Sequence, residues 1–213
     1  MSRSQIALVL HALALIAALA WLVPLLTQTL GGPTGYLLSL CFYWLAFCLP
    51  VIVFHVRGRR DPALFSEKLA WRDWWIPGFL LLQVGVVALL AFVPNTALLT
   101  THAAMLGGLV GIINGPLEET AWRGGFMTRF AAKPKLGFAL GWLLYTAWHL
   151  PLLLSHGIVF DGGWLTLIGG AAALGLLWSW IAWRTGSVFW VSIAHALTNA
   201  ITFWVLFDHN GFV

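Results

Sequence analysis

Polar side chains that could do chemistry interrupt this apolar chain at three places. Glu118 and Glu119 stand side by side, His149 follows in the next apolar segment, and His195 and Asn199 lie four residues apart in the last one. Charge inside membrane-spanning sequence is costly, so such residues usually face a protein interior or a wet cavity and usually serve function. Together the three places predict a reaction centre built inside a bilayer.

These residue types suit hydrolysis. A carboxylate and an imidazole that lie close together can share the deprotonation of a water molecule. A second imidazole and an amide can donate hydrogen bonds to the oxyanion that forms when this water attacks a carbonyl group. The set of Glu118, His149 and His195 could also bind zinc. However, the sequence contains no His-Glu-x-x-His, which would point to zinc more strongly, and no Gly-x-Ser-x-Gly of a serine hydrolase.

Local sequence around the two glutamates predicts their geometry. Gly115-Pro116 is expected to break the helix, with Pro116 as the first residue of a new helical piece. Glu118 and Glu119 would then lie in its first turn, where the helix dipole favours carboxylates. Glu119 is expected to pair with Arg123 four residues on. Glu118 would point about 100° away from Glu119 and be free for another task.

Each polar insertion also has an ordinary structural explanation. The glutamates could lie in a solvated loop, His149 could be a hydrogen-bonded packing residue, and His195 with Asn199 could join two helices. Their depths favour a common site, because a rise of 1.5 Å per residue places Glu118, His149, His195 and Asn199 roughly 10–20 Å from the inner ends of their helices. Polar residues of three helices could therefore meet near mid-membrane.

The composition predicts an integral membrane protein with an all-α fold. Hydrophobic residues make up 61% of the 213 residues and charged residues 8%, against roughly 45–50% and 25% in soluble domains. Spans of about 20 apolar residues predict a single transmembrane domain over residues 1–213, a polytopic bundle of about seven helices. The candidates are Gln5–Leu26, Tyr36–Val56, Trp75–Val93, a broken helix from Thr101 to about Phe130, Leu136–Leu154, Trp164–Trp183 and Val188–Phe207.

Basic residues predict the orientation. With the N-terminus inside and the C-terminus outside, all 11 Lys and Arg residues fall at inner ends or in inner loops, as the positive-inside rule requires; they are Arg3, Arg57, Arg59, Arg60, Lys68, Arg72, Arg123, Arg129, Lys133, Lys135 and Arg184. Scattered in this way, the basic residues do not form a nucleic-acid surface. The segment Arg57–Asp73 mixes charges with aromatic residues, and it could be an amphipathic helix on the inner surface or a solvated loop.

Three motifs resemble those of a known family. Glu118-Glu119-Thr120-Ala121-Trp122-Arg123 matches a Glu-Glu-x-x-x-Arg motif, Tyr145–His149 resembles Phe-x-x-x-His, and His195–Asn199 resembles His-x-x-x-Asn. In this order, on separate apolar helices, they are similar to the motifs of the CAAX protease and bacteriocin-processing (CPBP, or Abi) family of intramembrane proteases. The similarity covers residues 101–207, the expected catalytic core, whereas the three helices in residues 1–93 are not diagnostic.

The resemblance implies roles for the motif residues. Glu118 and His149 would activate water, His195 and Asn199 would stabilise the oxyanion, and Glu119, Arg123 and Tyr145 would support the site or orient substrate. Tyr145 replaces the usual Phe, which leaves an aromatic ring in place. The family is called metalloprotease, but the resemblance leaves open whether zinc is bound or the glutamate acts without metal.

The function expected from this resemblance is cleavage of a peptide bond in a membrane-associated protein or peptide, with or without a lipid group. The site would open to the cytosolic side of a cell or inner membrane. One rival is a non-enzymatic immunity or scaffold protein of the same fold that binds a peptide or partner. Another is a small transporter with a proton relay, but transporters often contain inverted repeats and none is evident.

Overall fold

The computed structural model describes residues 1–56, 62–96 and 99–212, which form helices and no β-strand. This confirms the predicted all-α membrane fold. Six helices are long and apolar enough to cross a membrane: α1 (Arg3–Leu30), α2 (Gly32–Val56), α3 (Trp71–Asn95), α5 (Pro134–Leu154), α6 (Leu165–Thr185) and α7 (Phe189–His209). Between them lies α4, residues 101–129, which carries the two glutamates. The total agrees with the predicted count of about seven.

Polar contacts between helices define one end of the bundle, called here the basic end. Gln5 at the start of α1 donates to the backbone carbonyl of Arg129 at the end of α4, with 2.9 Å between the atoms. Arg129 in turn donates to His55 of α2 at 3.1 Å. At the same end, Arg184 pairs with the buried Asp73 at 2.6 Å. The helix ends that the sequence predicts to lie on the inner side of the membrane are therefore joined by polar contacts.

A second set of contacts ties the opposite end, called here the Asp161 end. Asp208 of α7 accepts a hydrogen bond from the backbone N–H of Thr100, 2.9 Å away. His209 lies 2.9 Å from Asp161 in the loop between α5 and α6. Among the described Lys and Arg residues, Arg123 lies in the interior and the others lie at the basic end. Arg57, Arg59 and Arg60 lie outside the described residues.

The segment between α2 and α3 is described from residue 62 onward. It forms short 3-10 turns at Pro62–Phe65 and Trp71–Asp73 with non-helical chain between them. Its backbone is held by the start of α7, because the N–H of Val188 donates to the carbonyl of Leu64 at 2.8 Å. The sequence allowed either a surface helix or a loop for this segment, and its described part is a loop. Residues 57–61 lie outside the described residues.

Three glycines set the distance between α4 and α7. A Cβ atom on Gly107, Gly111 or Gly115 would lie only 2.5–2.6 Å from a backbone nitrogen of α7. The two backbones are thus in direct contact, the arrangement that small residues four apart permit between membrane helices. This close approach brings the polar residues of α7 against the glutamates of α4.

The predicted break in α4 is wrong. Pro116 lies inside the continuous helix Thr101–Glu118, so Glu118 and Glu119 are not in the first turn of a new helical piece. The chain instead changes from α-helical to π-helical winding at Glu119–Gly124 and resumes as Gly125–Arg129. Membrane helices tolerate proline because neighbouring helices and local changes of winding satisfy the freed backbone groups.

Substitutions on α4 should separate close packing from helix propensity. Gly111→Ala places a methyl group 2.5 Å from the backbone nitrogen of Ala200, and we expect it to destabilise the fold by about 1–3 kcal/mol. Gly108→Ala, on the same helix, meets no atom within 4 Å and should be neutral or stabilising by about 0.5–1 kcal/mol. Thermal unfolding in detergent would compare the two variants. Equal stability for both would contradict the close helix contact.

Candidate active site

His195 lies between the two adjacent glutamates of α4. Its Nδ1 is 2.7 Å from Oε1 of Glu119, and its Nε2 is 3.4 Å from Oε2 of Glu118. All three side chains are buried. Both carboxylates therefore reach opposite nitrogens of one imidazole. As predicted, Glu118 lies outside the Glu119–Arg123 pair, since it alone of the two glutamates lines the cavity described below.

Charge in this cluster is only partly compensated. Glu118, Glu119 and Arg123 are all buried, so two carboxylates share the cluster with one guanidinium. Burial of net charge is costly, and His195 is the imidazole whose two nitrogens face these carboxylates. A carboxylate and an imidazole in contact are groups that acid–base catalysis uses.

Arg123 fixes the position of Glu119. Its guanidinium is 3.0 Å from Oε1 of Glu119, which confirms the predicted pair four residues apart. It also donates to the hydroxyl of Ser179 at 3.2 Å and to the carbonyl of Gly175 at 3.1 Å, both on α6. The face of the Tyr145 ring lies 3.9 Å from its central carbon. Glu119 thus has a fixed cation on one side and His195 on the other.

His149 approaches the site from α5, in the turn after the regular helix ends at Ala147. Its Nδ1 is 2.9 Å from the carbonyl oxygen of Tyr145. Since a carbonyl can only accept, Nδ1 carries the hydrogen and Nε2 is left as an acceptor. The ring packs against Tyr145 and Trp148, with centroids 5.0 and 4.4 Å away. His149 is therefore held in one orientation with a free basic nitrogen.

A cavity of about 690 Å³ joins the four residues that the sequence singled out. Glu118, His149, His195 and Asn199 all line it, together with many apolar side chains. Three buried polar atoms of lining residues have no hydrogen-bond partner among the described residues: Oε1 of Glu118, Nδ2 of Asn199 and Nε1 of Trp148. Buried polar atoms are normally paired, so these three are available to a water molecule or a substrate group.

Residues outside the motifs also shape the site, and sequence reasoning missed them. Trp178 of α6 stacks on His195 with 4.2 Å between ring centroids. Gln83 of α3 holds this ring, accepting from its indole N–H at 3.2 Å and donating to Thr198 at 3.1 Å. A single glutamine within the apolar α3 was the available signal, because a polar residue within a span usually bonds to another helix.

The side chains do not fit a zinc ion well. Structural and catalytic zinc sites use three or four converging side chains, and in the described parts of the chain no group of three His, Cys, Asp or Glu residues converges in this way. Nδ1 of His195 is bound to Glu119 and Nδ1 of His149 to a carbonyl, so only their Nε2 atoms could serve.

The fold and the site together define a multi-pass integral membrane protein with a buried acid–imidazole centre facing a cavity. Residues 100–201 match the family model described as type II CAAX prenyl endopeptidase Rce1-like. This match confirms the family that the three motifs predicted, and it supports an intramembrane endopeptidase of the CAAX type in general. No curated protein and no solved structure matched the chain.

The buried ion pair should be essential for folding. Arg123→Met leaves Glu119 without its cation, and we expect a loss of about 3–5 kcal/mol of unfolding free energy. Ser179→Ala removes only one hydrogen bond to the same guanidinium and should cost about 1 kcal/mol. Unfolding of both variants in detergent would test this order. An Arg123→Met protein as stable as the wild type would contradict the structural role of this ion pair.

Proposed function

We propose that this chain is an intramembrane endopeptidase whose general base is Glu118. The proposal rests on one observation. Oε2 of Glu118 lies 3.4 Å from Nε2 of His195, and both residues line the same cavity as His149 and Asn199. Glu118 has one carboxylate oxygen without a partner among the described residues, which leaves it available to a water molecule. The match to an endopeptidase family gives this constellation its reaction type.

The attack on the peptide bond is assigned to a water held between Glu118 and His149. Glu118 takes a proton from this water as the oxygen attacks the carbonyl carbon, and Nε2 of His149 accepts the second hydrogen bond of the water. The proton then passes to the leaving amine when the C–N bond breaks. Burial of Glu118 away from bulk solvent keeps the transfer local.

The oxyanion is assigned to His195 and Asn199. His195, held by Glu119 through Nδ1, places Nε2 at the cavity beside Glu118 and donates from it when the ring carries both hydrogens. Asn199 offers an Nδ2 that has no partner among the described residues. Donors that are fixed before the reaction stabilise developing charge without reorganisation. Glu119, Arg123 and Tyr145 act as positioning residues in this scheme, because they hold His195 and His149 and lie behind them.

The substrate is proposed to be a membrane-associated protein or peptide. The cavity is mostly apolar, which suits a segment drawn from lipid or one carrying a lipid group. The family description names a CAAX prenyl endopeptidase, so a peptide bond near a prenylated cysteine is the first substrate to test.

Glu118→Gln keeps the size of the side chain and removes its basicity. We expect the rate of cleavage of a prenylated peptide by the reconstituted protein to fall by about 10²–10⁴-fold, the usual contribution of a general base. His149→Ala should have a similar effect. Glu67→Gln, in the loop before α3, is the matched control and should cleave at the unchanged rate.

The cleavage activity of the folded proteins distinguishes a protease from a non-enzymatic binder. Full activity of Glu118→Gln would refute its role as the base. Folded wild-type protein that binds peptides but cleaves none of a broad library would favour the non-enzymatic binder.

The metal-free mechanism has its own test. Because the described carboxylates and imidazoles do not converge as zinc ligands, we expect purified active protein to contain far less than one zinc per chain. Dialysis against a chelator should leave the cleavage rate unchanged. Activity that is lost on chelation and restored by added zinc would contradict this expectation.

A further inference from the structure

The cavity occupies only one half of the bundle. Each helix that lines the cavity contributes residues from the level of Glu118 and His195 towards the Asp161 end. On α7 the lining runs from His195 to Leu206, and on α6 from Trp178 back to Thr166. At 1.5 Å per residue, the α6 wall alone is about 18 Å long. Asp161 itself lies on the rim with its carboxylate largely exposed.

The other half is closed by stacked aromatic rings, called here the aromatic plug. Its members are all buried and none lines the cavity; they are Tyr43, Phe47, Trp122, Phe126 and Phe130. Trp122 lies at the centre, with its ring 4.4 Å from that of Phe47 and its indole N–H 2.6 Å from the Tyr43 hydroxyl.

Charge places the two halves relative to the membrane. The described Lys and Arg residues lie at the basic end, apart from the buried Arg123, and the positive-inside rule puts such an end in the cytosol. The Asp161 end then faces the opposite, extracytoplasmic side. We infer that substrate reaches Glu118 from the extracytoplasmic half of the membrane. This inference rests on the proposed function, and it differs from the cytosolic opening that the family resemblance implied.

The structure also assigns the side wall through which the substrate passes, between α3 and α6. In the basic half these helices are joined by Asp73–Arg184 at 2.6 Å, and at the level of His195 they are joined by Gln83–Trp178 at 3.2 Å. Towards the Asp161 end both helices line the cavity, α3 with Val87, Leu90 and Ala91, and α6 with Leu167, Gly170 and Ala171.

Both walls of this opening change their winding at the same level. α3 is π-helical at Ala88–Phe92 and α6 at Leu165–Gly169. π-helical turns are rare and often lie at functional sites. Leu90 is 71% exposed although it lines the cavity, as expected for the edge of an opening towards lipid.

The occupant is an extended segment of a membrane-associated polypeptide, with apolar side chains in the cavity and its flank at the extracytoplasmic surface. Asp161 and Asp208 supply negative charge at this end, and the described residues there include no Lys or Arg. A neutral or cationic flank is therefore accepted and an acidic flank is repelled.

Cysteine labelling tests the side of access without any need for turnover. Cys41 is exposed and is first replaced by Ser, whereas Cys48 is buried. Val159→Cys, 67% exposed at the rim of the cavity, should react with a membrane-impermeant maleimide on intact cells. Lys133→Cys, exposed at the basic end, should react only after the cells are permeabilised. The reverse pattern would overturn the inference.

Obstruction of the side wall tests the route. Gly170 borders the cavity and a Cβ there meets no atom within 4 Å, so Gly170→Trp should fill the opening without disturbing the backbone. We expect kcat/KM to fall by about tenfold or more, chiefly through KM. Gly85→Trp on the exposed face of α3, where there is also open space, is the matched control and should cleave normally. Normal cleavage by folded Gly170→Trp would overturn the route.

The two experiments distinguish failure of the inference from failure of the proposed function. If the wild type cleaves no substrate but labelling follows the expected pattern, the proposed protease activity fails and the extracytoplasmic opening stands. If the wild type cleaves and labelling is reversed, the activity stands and the inferred side of access is wrong.

Discussion

The buried contact of Glu119 with Arg123 and His195 is the constraint on which the rest of this site depends. A carboxylate without solvent must have a cation and hydrogen-bond donors close by, and Glu119 has both within 3.0 Å. Arg123 also donates to two groups of α6, the hydroxyl of Ser179 and the carbonyl of Gly175. One ion pair therefore fixes the relative positions of α4, α6 and α7. It also fixes the orientation of the imidazole that faces Glu118.

This electrostatic requirement is met through close backbone packing. His195 can reach two adjacent glutamates only if α7 lies directly against α4, and the glycines at 107, 111 and 115 allow that contact. Larger side chains there would move the imidazole away and leave charges unpaired. The same packing excludes lipid from the cluster. In this protein the small residues and the charged residues are parts of one arrangement, since neither would be stable at this depth without the other.

Sequence reasoning predicted the membrane class, the approximate spans and the meeting of Glu118, His149, His195 and Asn199 in one cavity. Those predictions depend on hydrophobicity, charge and motif order, which are local. It did not predict that Pro116 stays within a helix, because the neighbouring helix that tolerates it is remote in sequence. Nor did it predict that Gln83 holds Trp178, since that contact depends on the rotation of α3 about its axis. An apolar pattern exposed to lipid on several faces does not specify that rotation.

The two halves of the bundle have different physical tasks. In the basic half, aromatic stacking and the Asp73–Arg184 pair join helices tightly, and this half holds the ion pair in place. In the other half the helices separate around a cavity, with π-helical turns on both sides of the opening. A protease within lipid needs both, because its charges must be rigidly paired while a polypeptide must still reach them. With rigid packing on one side of Glu118 and open space on the other, this glutamate is both buried and in contact with the cavity.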